Sequence, residues 1–339
     1  MDSRGVKDLY AEVLQKEQRR YYVGESRIKA AIQNMKDAYL PDKDWEEKNV
    51  PLYVNYDDAA HRCAYLHKYA ACYTGMVQEL LKDTFQRDNQ VKRQLNSLRK
   101  LNLCSLGGGP GTDVVAILDV FANFMDFIPC SVNIIDLNGS WRSVFESVVQ
   151  ELQCGNNRKL KNMLSPSYFR FNYITANMLL PLSPLVKSSI MSADFISMVK
   201  FISAAACDNT ESMVSEIFRY LKPGALVMFI DNAAGGFLQM LQDQARNHRL
   251  QTVRGPVEHY RFENADYSVN RFGYTSQSKT TVSLQIWMKP QSIHSTSQSL
   301  RHQYVAQAQA RQPRQYDYVR HGTGFRIAPE QERGCCSLN

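Results

Sequence analysis

Leu101 to Asp113 reads LNLCSLGGGPGTD. A short apolar run leads into Gly107, Gly108, Gly109, Pro110 and Gly111, and an apolar helix-like run from Val114 to Phe124 follows at once. Strand, glycine turn and helix in that order build a nucleotide pocket at the C-terminal edge of a parallel sheet. Glycines remove the Cβ atoms that would hold a ligand off the backbone, and a helix N-terminus supplies free N–H groups. The next apolar run, Val132 to Ile135, ends in Asp136, whose two oxygens suit the paired hydroxyls of a ribose.

The spacing excludes two common nucleotide turns. A dinucleotide fingerprint needs G-x-G-x-x-G, whereas Gly107, Gly109 and Gly111 form G-x-G-x-G. A P-loop needs lysine before its Ser or Thr, and Thr112 follows a glycine. The turn together with Asp136 resembles the class I S-adenosylmethionine-dependent methyltransferases. The resemblance covers roughly residues 100 to 290. It implies an α/β fold, a Rossmann-like doubly wound sheet of seven strands with an antiparallel last strand, here with an N-terminal helical addition. The order of the chain agrees. A helix-like stretch Ser140 to Leu152 precedes a β-rich run Tyr168 to Ile174, then a buried-strand pattern Asp194 to Lys200. A helix from Glu211 to Leu221 stops at Lys222-Pro223-Gly224, and a strand Ala225 to Asp231 follows, with Thr281 to Met288 as the returning arm of a late hairpin.

The resemblance also implies S-adenosylmethionine as cofactor and roles for particular residues. Gly107 to Gly111 approach its methionine part, and Asp136 takes the ribose. Asn138 and Trp141 cover the adenine, although Trp141 could instead pack helix against sheet. Asn177 and Met178 form an adenine-edge pair. Many members carry an acid two places before the first glycine, where this chain has Ser105. Either Asp113 takes over that role or backbone carbonyls hold the cofactor's ammonium group. A protein that keeps the fold and binds without turnover is a further alternative.

A sulfonium methyl is already activated, so the protein must chiefly hold a nucleophile in line and remove a proton where one is present. Substrate-selecting groups of the family sit at Ser197 to Ser203, SMVKFIS. The absence of an Asp/Asn-Pro-Pro-Tyr/Phe motif argues against exocyclic amine methylation of bases. The absence of a Pro-Cys pair leaves the covalent cytosine C5 route unsupported and Cys207 an ordinary thiol. Lys200 either steers an anionic substrate, stabilises a deprotonated one, or is a solvated strand-end lysine. Asp231 and Asn232 are the other catalytic candidates, followed by small residues that leave room for a ligand. No general base stands out. Over the GGGPG turn, the acid-then-Trp segment and these small residues, the chain is similar to fungal methyltransferases acting on N3 of uridine in large-subunit ribosomal RNA. RNA is the leading acceptor, and a protein or a small molecule is the alternative.

With 339 residues the chain can bury a full core, and its formal net charge of +7 tilts it towards anionic partners. Its eight cysteines include no C-x-x-C pair, which points to reduced thiols rather than a disulfide framework, and no metal site is expected. With no charged-then-apolar leader and no membrane-length apolar run, cytoplasm or nucleus is the expected compartment.

Residues 1–95 read as a mostly helical addition or lid, 96–290 as the methyltransferase domain and 291–339 as a basic, disordered tail. Val6 to Lys16 and Ile28 to Ala38 show helical apolar spacing. Tyr65, Tyr69 and Tyr73 recur every fourth residue and share one helix face, with Met76 a turn further on. With Tyr53 and Tyr56 they either lid the cofactor and stack on a planar substrate, or simply pack the helix on the sheet. His61 and His67 read as structural or exposed. In the tail, arginines interleaved with Tyr304, Tyr316 and Tyr318 offer sequence-tolerant RNA affinity, and Cys336, fourth from the end beside Cys335, has the geometry of a lipidation site. A solvated tail with no partner and a chance terminal cysteine are the plainer readings. Oligomeric state is not legible.

Overall fold

In the computed structural model, residues 1–39, 53–87, 89–125 and 128–291 are described. The expected tail, with Cys336, therefore lies outside the described residues apart from Gln291. The glycine turn follows β1 (Leu101–Leu106) and opens α6 (Thr112–Phe124). Beside β1 lie β2 (Cys130–Asp136) and β3 (Phe169–Thr175) on one side, and β4 (Phe195–Val199) and β5 (Leu226–Asn232) on the other, all five parallel. Two long strands, β6 (Gln251–Glu263) and β9 (Lys279–Met288), complete the seven-stranded order β3-β2-β1-β4-β5-β9-β6, with β9 antiparallel to both neighbours. A separate small hairpin pairs β7 (Asn270–Arg271) with β8 (Tyr274–Thr275). The sheet and its antiparallel closing strand match the expectation.

The central strands are apolar along their whole length because both faces are covered. Leu226, Met228 and Ile230 of β5 join the core formed with the N-terminal helices, α6 and α7 (Trp141–Cys154). Val227 and Phe229 point the other way, into the core under α9 (Pro184–Ser192), α10 (Thr210–Arg219) and α11 (Phe237–Asn247). At the far edge β6 is mostly exposed and its register against β9 shifts repeatedly, irregularities of the kind that keep an edge strand from pairing with a second chain.

The N-terminal helices complete the first core. α1 (Ser3–Tyr21) is capped by Asp2, whose carboxylate accepts the Gly5 N–H at 2.8 Å, and buries Val6, Leu9, Tyr10, Val13 and Leu14 on one face. α2 (Glu25–Ala38) follows. Both begin before the expected Val6 and Ile28, because the caps lie outside the apolar stripe from which the helices were read. The tyrosine stretch forms α3 (Ala59–Tyr65) and α4 (Ala71–Arg87), joined through a π-helical turn at Leu66–Ala70 that periodicity does not announce. α5 (Asn89–Asn96) leads to β1. None of the helices among the described residues is long and apolar enough to cross a membrane.

One buried ion pair ties the loop before α3 to this layer. Arg62 and Glu17 are each 2% exposed, with Nε donating to Oε1 at 2.6 Å, and Arg62 Nη1 also donates to the Tyr56 and Asp57 carbonyls. The charges are compensated only as a pair. Arg62→Ala should lower unfolding free energy by about 3–5 kcal/mol in urea titration, whereas the Glu17→Met/Arg62→Met double variant should recover most of it. Equal loss in the single and double variants would contradict this role.

Candidate functional site

The strand order reverses at β1 and β4, so the loops leaving their C-terminal ends diverge and open a crevice. The glycine turn crosses its floor with Gly107, Gly109 and Gly111 all at positive φ, 65°, 49° and 80°. These glycines are required for different reasons. A Cβ on Gly107 would strike the Phe201 ring, and one on Gly111 would strike Phe145. Among the described residues a Cβ on Gly109 would meet only Trp141, at 3.9 Å, which leaves room for a ligand to approach this backbone.

Asp136 holds this shape. Its Oδ2 accepts the Gly109 N–H at 2.8 Å and its Oδ1 accepts the Asn138 N–H at 2.9 Å. Burial pushes the carboxyl up from its ordinary range, and the two backbone donors oppose that shift. Each oxygen keeps acceptor capacity for a second donor. Across the turn, Tyr173 donates to the Gly109 carbonyl at 3.1 Å.

The crevice is a cavity of about 860 Å³. Of the residues expected from sequence to hold the cofactor, Gly107, Gly109, Pro110, Asp136, Trp141, Asn177 and Met178 line it, as does Asn138. Gly108, Gly111 and Asp113 do not. Gly108 packs on Ser105 and Ile134 beneath the turn. Asp113 is 2% exposed, and its Oδ2 accepts Ser105 Oγ at 2.7 Å and Ser197 Oγ at 2.5 Å. In the first turn of α6 its side chain faces the sheet, where it joins β1, β4 and α6. The reading of Asp113 as a stand-in for the missing acid at Ser105 is thereby corrected: acid and serine bind each other behind the turn.

The opposite wall is aromatic. Tyr53, Tyr56 and Tyr65 line the cavity, joined by Tyr39, Tyr69 and Tyr73. Tyr56 and Tyr65 pack on Trp141 with ring centroids 4.8 and 5.4 Å away, so Trp141 serves both cavity wall and packing. Tyr39 and Tyr56 share a hydroxyl hydrogen bond of 2.6 Å, and Tyr69 stacks on Tyr73. Burial pushes the Tyr39 phenol up to about 12 and those of Tyr56, Tyr65 and Tyr73 well above their usual value, so these four are poor bases. Tyr39 was missed because nothing in the sequence beyond α2 ties it to the stripe. Leu137, 53% exposed beside Asp136, and Phe201 were missed because apolar residues at strand ends read as core.

Two of the three catalytic candidates reach the cavity. Lys200, held at a φ of 55°, extends Nζ to Asn232 Oδ1 at 2.5 Å and lies 5.7 Å from the centre of the Tyr73 ring. Burial lowers its pKa, while Asp231 and the Cys72 thiol act in the opposite direction. Asp231 itself is fully buried. It accepts the Ser203 N–H at 3.0 Å and Ser203 Oγ at 2.6 Å, bracing the loop after β4, which corrects its reading as a catalytic group. Among the described residues no group of three His, Cys, Asp or Glu is placed to hold a metal ion. His67 Nε2 instead lies 3.0 Å from the Tyr274 carbonyl.

Residues 7–254 match the profile of a family described as "Putative SAM-dependent methyltransferase". The chain belongs to this family. A search of curated proteins returns no match. Solved structures similar to it include an O-methyltransferase family protein from Burkholderia thailandensis, 12% identical over 82% of this chain and 71% of its own, with a TM-score of 0.40. The YcgJ protein from Bacillus subtilis aligns at 12% identity over 60% of this chain and 98% of its own, TM-score 0.37. A SAM-dependent methyltransferase from Methanosarcina mazei aligns at 14% identity over 59% and 97%, TM-score 0.34. For a SAM-dependent methyltransferase, the open backbone at Gly109 beside the Asp136 carboxylate is a fitting cradle for a nucleoside cofactor.

The brace behind the turn has a titration signature. Burial pushes the Asp113 carboxyl up, against the hydrogen bonds from Ser197 and Ser105. With the folded-state pKa above the unfolded one, the ionised group opposes folding at neutral pH, and this opposition is relieved as pH falls through the folded value. The stability of Asp113→Asn relative to the native chain should therefore be most favourable near neutrality and decline as the solution is acidified. Urea titrations across that range that give a constant difference would contradict the assignment.

Proposed function

We propose that this S-adenosylmethionine-dependent methyltransferase modifies an RNA base, with cofactor and acceptor side by side in the one cavity. The observation that carries the reading is the division of the cavity walls. The glycine turn and Asp136 form a nucleoside cradle, and the tyrosine wall with Lys200 and Asn232 forms an aromatic chamber next to it. About 860 Å³ lies near the upper end of the ~300–1,000 Å³ usual for small-molecule sites, and this supports room for a second planar group. Stacking on aromatic rings is the usual way a protein receives an unpaired base.

In this reading Gly107, Gly109 and Pro110 run beside the amino acid end of the cofactor, and Asp136 accepts from its ribose. Leu137, Trp141 and Met178 cover its adenine, with Asn177 at the ring edge. Bound there, the cofactor supplies an electrophilic methyl group. Tyr65 and Tyr73 flank the acceptor ring, and Tyr53, 74% exposed, stands at the rim. Lys200, held by Asn232, would place a positive charge beside the acceptor atom, stabilising the anion left when its proton passes to solvent. The tyrosine rings supply the apolar faces on which that acceptor ring would stack.

Asp136→Ala should weaken S-adenosylmethionine binding by about 1–3 kcal/mol in isothermal titration, and unchanged affinity would reject the ribose contact. Lys200→Met should leave that affinity unchanged while lowering kcat roughly 10²-fold. Incubation with methyl-labelled cofactor and fractionated cellular RNA, protein and metabolites tests the acceptor. Label is expected in RNA, and label confined to protein or metabolites would overturn this reading.

A further inference from the structure

We propose that α2, the π turn and the β7–β8 hairpin form a phosphate-binding track that lays an RNA strand across the mouth of the cavity. The proposal rests on the RNA reading above and names the surface that would deliver the strand. Lys29, Gln33 and Lys36 fall on one exposed face of α2, spaced by four and three residues, and that face meets the hairpin. The Lys29 side chain lies against Gly273, where a Cβ would sit 3.4 Å from its Cε. Lys36 Nζ is 5.3 Å from the centre of the Tyr274 ring, and the Tyr274 hydroxyl donates to Gln33 Oε1 at 2.8 Å. Lys68, on the π turn, donates to the Thr275 carbonyl at 2.6 Å, and Arg271 adds a fourth cation, its guanidinium 4.5 Å from the Phe272 ring centre.

Among the described residues none of these four cations makes an ion pair with a carboxylate. The nearby Asp37 accepts instead from Gln33. Lys68 bears the mark of the crowding: burial first, and then Lys36, lower its pKa. Like charges gathered together repel one another in the free protein and are relieved by a polyanion, which displaces its own condensed ions in exchange.

The track leads to the site already described. The Gln277 N–H donates to the Lys68 carbonyl at 2.8 Å, and Gln277 lines the cavity, as do Tyr69 beside Lys68 and Tyr39 at the end of α2. A strand held by its phosphates on Lys29, Lys36, Lys68 and Arg271 would present its bases to Tyr274 and to the tyrosine wall. Cations interleaved with rings are the arrangement that single-stranded nucleic acid uses without sequence preference.

The test uses the full chain and a fluorescein-labelled, mixed-sequence single-stranded RNA of about 20 nucleotides, titrated from about 50 to 300 mM salt. The Lys29→Gln/Lys36→Gln/Lys68→Gln variant should bind at least tenfold more weakly at the lowest salt. Its slope of log K against log salt should be shallower by about 2, since each single-strand phosphate contact contributes about 0.7. Its S-adenosylmethionine affinity should equal that of the native chain, which controls for folding. RNA binding by the native chain with the same affinity and slope in the variant would overturn the track while leaving the RNA reading intact. No salt-dependent RNA binding by the native chain would overturn both. So would lysine-dependent binding of phosphatidylserine vesicles or an acidic peptide in preference to RNA.

Discussion

Where β2 ends, a carboxylate reaches back to the loop leaving β1 and accepts the Gly109 N–H. A loop with three residues at positive φ has few favourable conformations, and this bond with the Tyr173 contact selects one. The chain's own groups therefore fix the shape of the cavity floor. The same carboxylate retains the acceptor capacity that a nucleoside requires, so shape and recognition depend on one group.

A second polar layer lies beneath the first. Ser105, Asp113 and Ser197 join the two strands that part at the crevice, and Asp231 with Ser203 joins β5 to the loop after β4. Neither carboxylate lines the cavity. Both join the strand ends, and the hydrogen bonds they accept offset only part of the cost of burying Asp113, whose carboxyl is still pushed up by burial. Polar residues next to a glycine turn are easily read as ligand contacts, and here they are supports.

The sheet was legible because its central strands are buried on both faces and punctuated by turn residues, and the order of the runs from Leu101 to Met288 matched a known pattern. That Asp136, Trp141 and Met178 lie at the cavity was legible by position along that order. The roles of Asp113 and Asp231 were not, because sequence says that an acid follows a strand but not which way its side chain turns. The tyrosine wall was half legible. Spacing put Tyr65, Tyr69 and Tyr73 on one face, but only packing brings Tyr39 to them from another helix, and only packing shows that a single wall both fills the core and bounds the cavity.

The π turn at Leu66–Ala70 gives that wall a sensitivity that composition alone would not reveal. Four residues overshoot a full α-helical turn by about 40°, so a four-residue repeat winds steadily around an uninterrupted helix. A turn closed by i→i+5 bonds accommodates more residues and sets the winding back, much as a leap day corrects a calendar, and Tyr69 and Tyr73 come out nearly parallel, 19° apart. Deleting one residue there would rotate everything downstream by about 100° and point Tyr73 away from Tyr65. The length of this helix is thus constrained as tightly as its chemistry.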